Sequence, residues 1–125
     1  MMDVQIKPNT RGRERLIVSE KDTAMAYGSG LVPVFATPAM IALMEMTALK
    51  SIHDQLPQQY TTVGFAVDMK HLKASKIGAE IVCESELVEV NGRKLVFELQ
   101  VWDDEILVGH GTHIRYIVDK SKFLN

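Results

Sequence analysis

The chain has 125 residues, 46% of them hydrophobic and 24% charged, with a net charge of −2 and a single cysteine. That is the size of one domain, 1–125, with enough apolar side chains to close one core, and a pI near 6.1 offers no basic face of the kind nucleic acid selects. The lone Cys83 excludes an intrachain disulfide framework and any metal site built on a cysteine pair, which fits a reducing compartment.

The N-terminal MMDVQIKPNTRGRERL carries basic residues with no apolar run or small-residue cleavage pattern behind them, so a cytoplasmic location is expected. A polar lead-in gives way to one short strand, LIVS at 16–19, which Glu20, Lys21 and Asp22 end. Tyr27-Gly28-Ser29-Gly30 reads as a flexible turn, and LVPVF at 31–35 as an apolar approach whose Pro33 argues against a central strand.

Residues 37–50, TPAMIALMEMTALK, are the centre of the chain. Thr37 followed by Pro38 reads as an N-cap and a proline at the first helical position. The helix that follows is apolar all round except for Glu45. A helix without a polar face is either a membrane span or the buried centre of a small domain. Pro33, Pro38 and Glu45 interrupt the span reading, so a buried central helix and no membrane partner are expected.

After a polar loop at 55–60 the period changes to two. Val63, Phe65, Val67 and Met69 alternate with Gly64, Ala66, Asp68 and Lys70; Ile81, Cys83, Ser85 and Leu87 alternate with Val82, Glu84, Glu86 and Val88. Asn91-Gly92 is a hairpin turn into RKLVFELQVW, with Leu95, Phe97, Leu99 and Val101 on one face. Asp103-Asp104 turns the chain into EILVGHGTHIRYIV. Gly109 and Gly111 fall on the face of Leu107 and His113, where either a helix packed hard against the sheet or a bulge would require them. The sum is an α+β architecture: one long helix wrapped by one curved antiparallel sheet of about five strands.

A carboxylate isolated in an apolar helix is a functional lead, and its structural rival is a carboxylate satisfied by Arg115. Thr37 has its capping role as a sufficient explanation, and His71 competes with His53, His110 and His113. Lys70, Lys73 and Lys76, with Arg93 at a hairpin, are either a phosphate-binding cluster or a solvated edge.

The segments FATPAMIALMEMTALKSI, TVGFAVDMKHLKAS, VNGRKLVFELQVWD and GHGTHIR resemble the fluoroacetyl-CoA thioesterase-like branch of the hotdog-fold acyl-CoA thioesterases, over residues 34 to 118. The resemblance implies the hotdog fold and hydrolysis of an acyl-CoA thioester at sites formed between two subunits of a homodimer, or of a higher oligomer. Coenzyme A enters only as part of the substrate, with no other cofactor and no metal. It implies a catalytic set of Thr37, Glu45 and His71, with Gly64 near the thioester carbonyl and Arg115 in the same pocket. Such chemistry needs a base or nucleophile and N–H donors for the oxyanion, and Glu45 as nucleophile and Glu45 as base both satisfy that need. The stretch MAYGSGLVPVF before the helix is shorter than the phenylalanine-bearing lid of the fluoroacetyl-selective type. Tyr27 and Phe35 are its only aromatics, so a different short or medium acyl group is expected, with Phe35 a substrate contact. Two other activities fit the same fold: a non-catalytic acyl-CoA-binding module, and a dehydratase acting on hydroxyacyl thioesters.

Overall fold

Apolar alternation in the second half of the chain and an apolar helix in the first are solved by one arrangement. The computed structural model describes residues 4–124; the first three residues of the polar lead-in and Asn125 lie outside it. In chain order it contains β1 (Arg11–Ile17), α1 (Ala24–Tyr27), α2 (Thr37–Ile52), β2 (Tyr60–His71), β3 (Glu80–Asn91), β4 (Lys94–Asp103), β5 (Ile106–Asp119) and α3 (Lys120–Phe123). Among the described residues the strands form a single antiparallel sheet in the order β1-β3-β4-β5-β2. The sheet wraps α2. Leu95, Phe97, Leu99 and Val101 of β4 and Ile81, Cys83 and Leu87 of β3 close over Met40, Leu43, Met44, Ala48 and Ile52 of the helix, all buried. No helix among the described residues is long and apolar enough to cross a membrane.

Several local expectations are corrected. The first strand is Arg11–Ile17 rather than 16–19, because the polar lead-in pairs edge to edge with β3 and points its arginines outward toward Glu80, Glu84 and Glu86. Ser19 instead caps a 3₁₀ turn, its backbone N–H and hydroxyl both donating to the Asp22 carboxylate. Asn91 pairs with Lys94, so the two-residue hairpin loop is Gly92-Arg93, with Gly92 at a left-handed φ of 62°. Thr37 does not cap α2: Ala36 occupies the cap, and Thr37 is already helical. Nor is α2 covered on every side. Pro38 and Ala42 are exposed and Ile41, Glu45, Met46 and Leu49 only partly buried, because a five-stranded sheet curls around no more than part of a helix.

Bulges break the strict alternation. Gly64 pairs with Arg115 and Ala66 with Ile114, so Phe65 is an extra residue in β2, 69% exposed and edge-on to Tyr116. Val63 and Phe65 therefore do not share a face with Val67 and Met69. A second bulge at Val108 turns Leu107 away from the face of Gly109 and Gly111. Both reasons offered for Gly109 hold, since a Cβ there would also lie 2.4 Å from the Met40 sulfur of the helix. Gly111 has a different reason: a Cβ would lie 2.4 Å from the Asp68 carbonyl oxygen and 2.7 Å from Met69 Cα, both backbone atoms of β2. Backbone cannot swing aside as a side chain does. Gly111→Ala is expected to cost about 1–3 kcal/mol by overpacking, read as a lower denaturation midpoint; an unchanged midpoint would contradict this packing.

Candidate functional site

Two polar clusters lie on the inner face of the sheet, and each brings a residue of α2 against β2. The first is centred on Glu45. A Cβ on Gly64 would lie 2.7 Å from Glu45 Oε2, so the carboxylate rests directly on bare strand backbone. Arg115 Nη1 stands 3.9 Å from the same oxygen. The guanidinium is held on its other sides: Nε donates to Thr62 Oγ1 at 2.8 Å, Nη2 to the Thr62 carbonyl at 2.9 Å, and Nη1 to His113 Nε2 at 3.1 Å. Burial lowers the Arg115 pKa and the Glu45 charge partly restores it. The Glu45 side chain, expected to be buried, is 43% exposed.

The second cluster is at the helix start. Thr37 Oγ1 lies 2.8 Å from His71 Nδ1, with the Phe35 ring edge-on to the imidazole. Freed from capping, the Thr37 hydroxyl fixes the histidine instead. His71 Nε2 is buried and finds no hydrogen-bond partner among the described residues. Burial lowers the His71 pKa below 6.5, against a smaller opposing effect of a hydrogen bond with the Lys73 backbone. The neutral imidazole is favoured.

The chain does not by itself join the two clusters. Thr37 and Glu45 stand about 12 Å apart along α2, and Gly64 and His71 about 20 Å apart along β2, from the rises of helix and strand. A depression of about 560 Å³ lies on the polar outer face, among Glu84, Glu98, Gln100 and His110; it touches Lys70 but none of Thr37, Glu45, Gly64, His71 or Arg115. Lys70, Lys73 and Lys76 are exposed near the His71 end of β2. Arg93 is not their neighbour: it lies with Tyr60 and Lys122 at the other end of that strand. Burial pushes the Cys83 thiol up to about 11, which leaves it protonated and inert.

Sequence reasoning missed Thr62 and His113. Thr62 sits in a run of ordinary strand residues. His113 had a signal, two positions before Arg115 on one strand and hence on its face. Its tautomer follows from its partners, since the Ala66 carbonyl, 2.8 Å from Nδ1, can only accept and the guanidinium can only donate. His113 is thus neutral and protonated on Nδ1, and burial lowers its pKa below 6.5 with Arg115 adding to the effect. Because His71 and His113 both shift downward, the stability they permit is fully present above pH 6.5 and is lost as pH falls from there toward the native values. Thermal melts are expected to be flat above neutrality and to drop below pH 6.5, less steeply in His113→Phe; melting temperatures that rise on acidification would contradict the two burials.

A helix wrapped by this sheet defines the class of hotdog-fold proteins, and the comparisons agree. A hot-dog-like protein from Thermanaerovibrio acidaminovorans superimposes with a TM-score of 0.84 over 96% of this chain and 90% of its own, at 22% identity. A mutant of the fluoroacetyl-CoA-specific thioesterase FlK, solved with fluoroacetate and CoA, gives 0.88 at 27% identity over 94% of this chain and 99% of its own. The fluoroacetyl-CoA thioesterase of Streptantibioticus cattleyicolor is 31% identical over 90 residues, covering 72% of this chain and 65% of that protein. The chain belongs to the FlK family, fluoroacetyl-CoA-specific thioesterase, whose pattern matches residues 18–121. This family membership places it among the thioester hydrolases.

Proposed function

We propose that the chain hydrolyses a short or medium acyl-CoA thioester, and that the catalytic site is completed by a second copy of itself. One observation carries the proposal: the two clusters sit on the same face of the edge strand β2, whose outer edge pairs with nothing among the described residues. Gly64 and His71 are seven positions apart and in a regular strand would face opposite ways. The Phe65 bulge brings both inward. Two β2 strands pairing antiparallel about a two-fold axis at Asp68 set Val67 opposite Met69 and Ala66 opposite Lys70, and across the bulge Gly64 opposite His71. In that register Thr37 and His71 of one copy meet Glu45, Gly64 and Arg115 of the other. The same pairing brings the Arg93 end of one copy beside Lys73 and Lys76 of the other, where with Lys70 they would meet CoA phosphates. The partly uncovered apolar side of α2, with Pro38, Ile41, Ala42, Met46 and Leu49, gains a cover.

Glu45 either removes a proton from water, whose oxygen then bonds the carbonyl carbon, or attacks that carbon itself to give an anhydride that water cleaves. The oxyanion would be met by the backbone N–H of Gly64, where no Cβ stands in the way. As the C–S bond breaks, the departing CoA sulfur takes up the proton that water gives up, relayed by the neutral imidazole of His71, whose ring Thr37 holds in place. Phe35, beside His71, would line the acyl end. Leu31 and Val32, exposed in the short segment before α2, stand where a lid would close and carry no phenylalanine, which favours an acyl group other than fluoroacetyl.

Thiol release from a panel of acyl-CoAs, fluoroacetyl-CoA included, tests the proposal. Turnover of short or medium chains is expected. Saturable binding without turnover would assign a non-catalytic acyl-CoA-binding module instead, and hydration of an enoyl-CoA without thiol release a dehydratase.

A further inference from the structure

We infer that His113 is a positioning residue: by accepting a hydrogen bond from Arg115 at Nε2 it fixes the guanidinium that orients Glu45. The inference rests on Glu45 being the reactive carboxylate. A guanidinium has five N–H donors. Three are taken by Thr62 Oγ1, the Thr62 carbonyl and His113 Nε2, on the sides of Nε, Nη2 and Nη1 respectively. Thr62 alone holds the Nε–Nη2 edge of the rigid fork, and the plane can still tilt about that edge and carry Nη1 with it. Nη1 is the nitrogen that faces Glu45 Oε2, and its hydrogen-bond acceptor among the described residues is His113.

The acceptor is itself fixed. His113 is completely buried, its Nδ1 donates to the Ala66 carbonyl beside the Phe65 bulge, and its ring packs beside Phe97, tilted by 32° at a centroid distance of 6.3 Å. Its Cε1 lies 3.4 Å from where a Gly64 Cβ would stand, so the ring also walls the floor of the Glu45 cluster. The bulge, the imidazole, the guanidinium and the carboxylate thus form one chain of contacts. A histidine needed only for packing would not have to present an unprotonated nitrogen to an arginine; an apolar ring would fill the space beside Phe97 without leaving a polar atom to satisfy.

The test compares His113→Phe, which keeps ring volume but removes both bonds, with His113→Gln, whose amide oxygen can still accept from Arg115. In the whole protein His113→Phe is expected to lower kcat about 10- to 100-fold with KM changed less than about threefold, the cost of a slightly misplaced reacting group. His113→Gln should recover most of that loss, and His113→Phe should add nothing in an Arg115→Met background. A folded His113→Phe with full kcat, equal losses in the Phe and Gln variants, or losses that multiply in the double variant would overturn the inference. Nitrogen-15 shifts of the His113 imidazole supply a readout independent of turnover and of how the Phe variant folds. Nε2 is expected to be unprotonated and to shift in Arg115→Met; a protonated Nε2 would overturn the inference even in an active enzyme. A wild-type protein that turns over no thioester would sink the thioesterase assignment, leaving the nitrogen shifts to decide on His113.

Discussion

Glu45→Gln is expected to reduce acyl-CoA turnover by about 10³-fold or more while leaving the protein folded, because the amide can neither take a proton from water nor attack a carbonyl. The substitution is nearly isosteric and the side chain is 43% exposed, so no core volume is lost. Arg115 keeps its bonds to Thr62 and His113, which limits the cost of removing its counter-charge. Steady-state kinetics beside a thermal melt separate the two effects. A folded Glu45→Gln protein with undiminished kcat would remove the carboxylate from the mechanism.

Gly64→Ala is expected to be the next most damaging change for activity, although it adds only a methyl group to a strand. The new Cβ would lie 2.7 Å from Glu45 Oε2, and it has no room elsewhere, with His113 Cε1 at 3.4 Å and Arg115 Nη1 at 3.5 Å. The carboxylate is the end of a flexible side chain and is the group that yields. Displacement by about 1 Å costs on the order of 10²-fold in rate when the displaced group is the reacting one. Stability should change little for the same reason, and in a Glu45→Gln background Gly64→Ala should cost much less than it does alone. A large fall in melting temperature with kcat intact would mean that Gly64 serves packing only.

The fold was legible because its signals were redundant. The apolar run of α2, the period-two runs of β3 to β5 and the Gly92 hairpin each pointed to the same helix-in-sheet arrangement. β1 was misplaced because its inward residues are few and its arginines read as solvated charge until Glu80, Glu84 and Glu86 of β3 stand beside them. The bulges at Phe65 and Val108 left no mark in the alternation, since an extra residue in a strand is apparent only against its partner. That blindness mattered for the site, as strict alternation puts Gly64 and His71 on opposite faces. Thr37 shows the reverse case, a residue with a sufficient local explanation, capping, whose hydroxyl is engaged with His71 instead. Thr37, Glu45, Gly64, His71 and Arg115 could be named from a family likeness, but their division into two clusters depends on distances that no spacing in the chain encodes.

The shared site is tested most directly by complementation. Glu45→Gln and His71→Ala chains, each inactive alone, are co-expressed and allowed to assort. If one copy supplies Thr37 and His71 and the other Glu45, Gly64 and Arg115, each mixed dimer holds one intact site of two. Random pairing then restores about a quarter of wild-type activity. If Glu45 and His71 of the same chain act together, every site in the mixture is damaged and no activity returns, which would contradict the account.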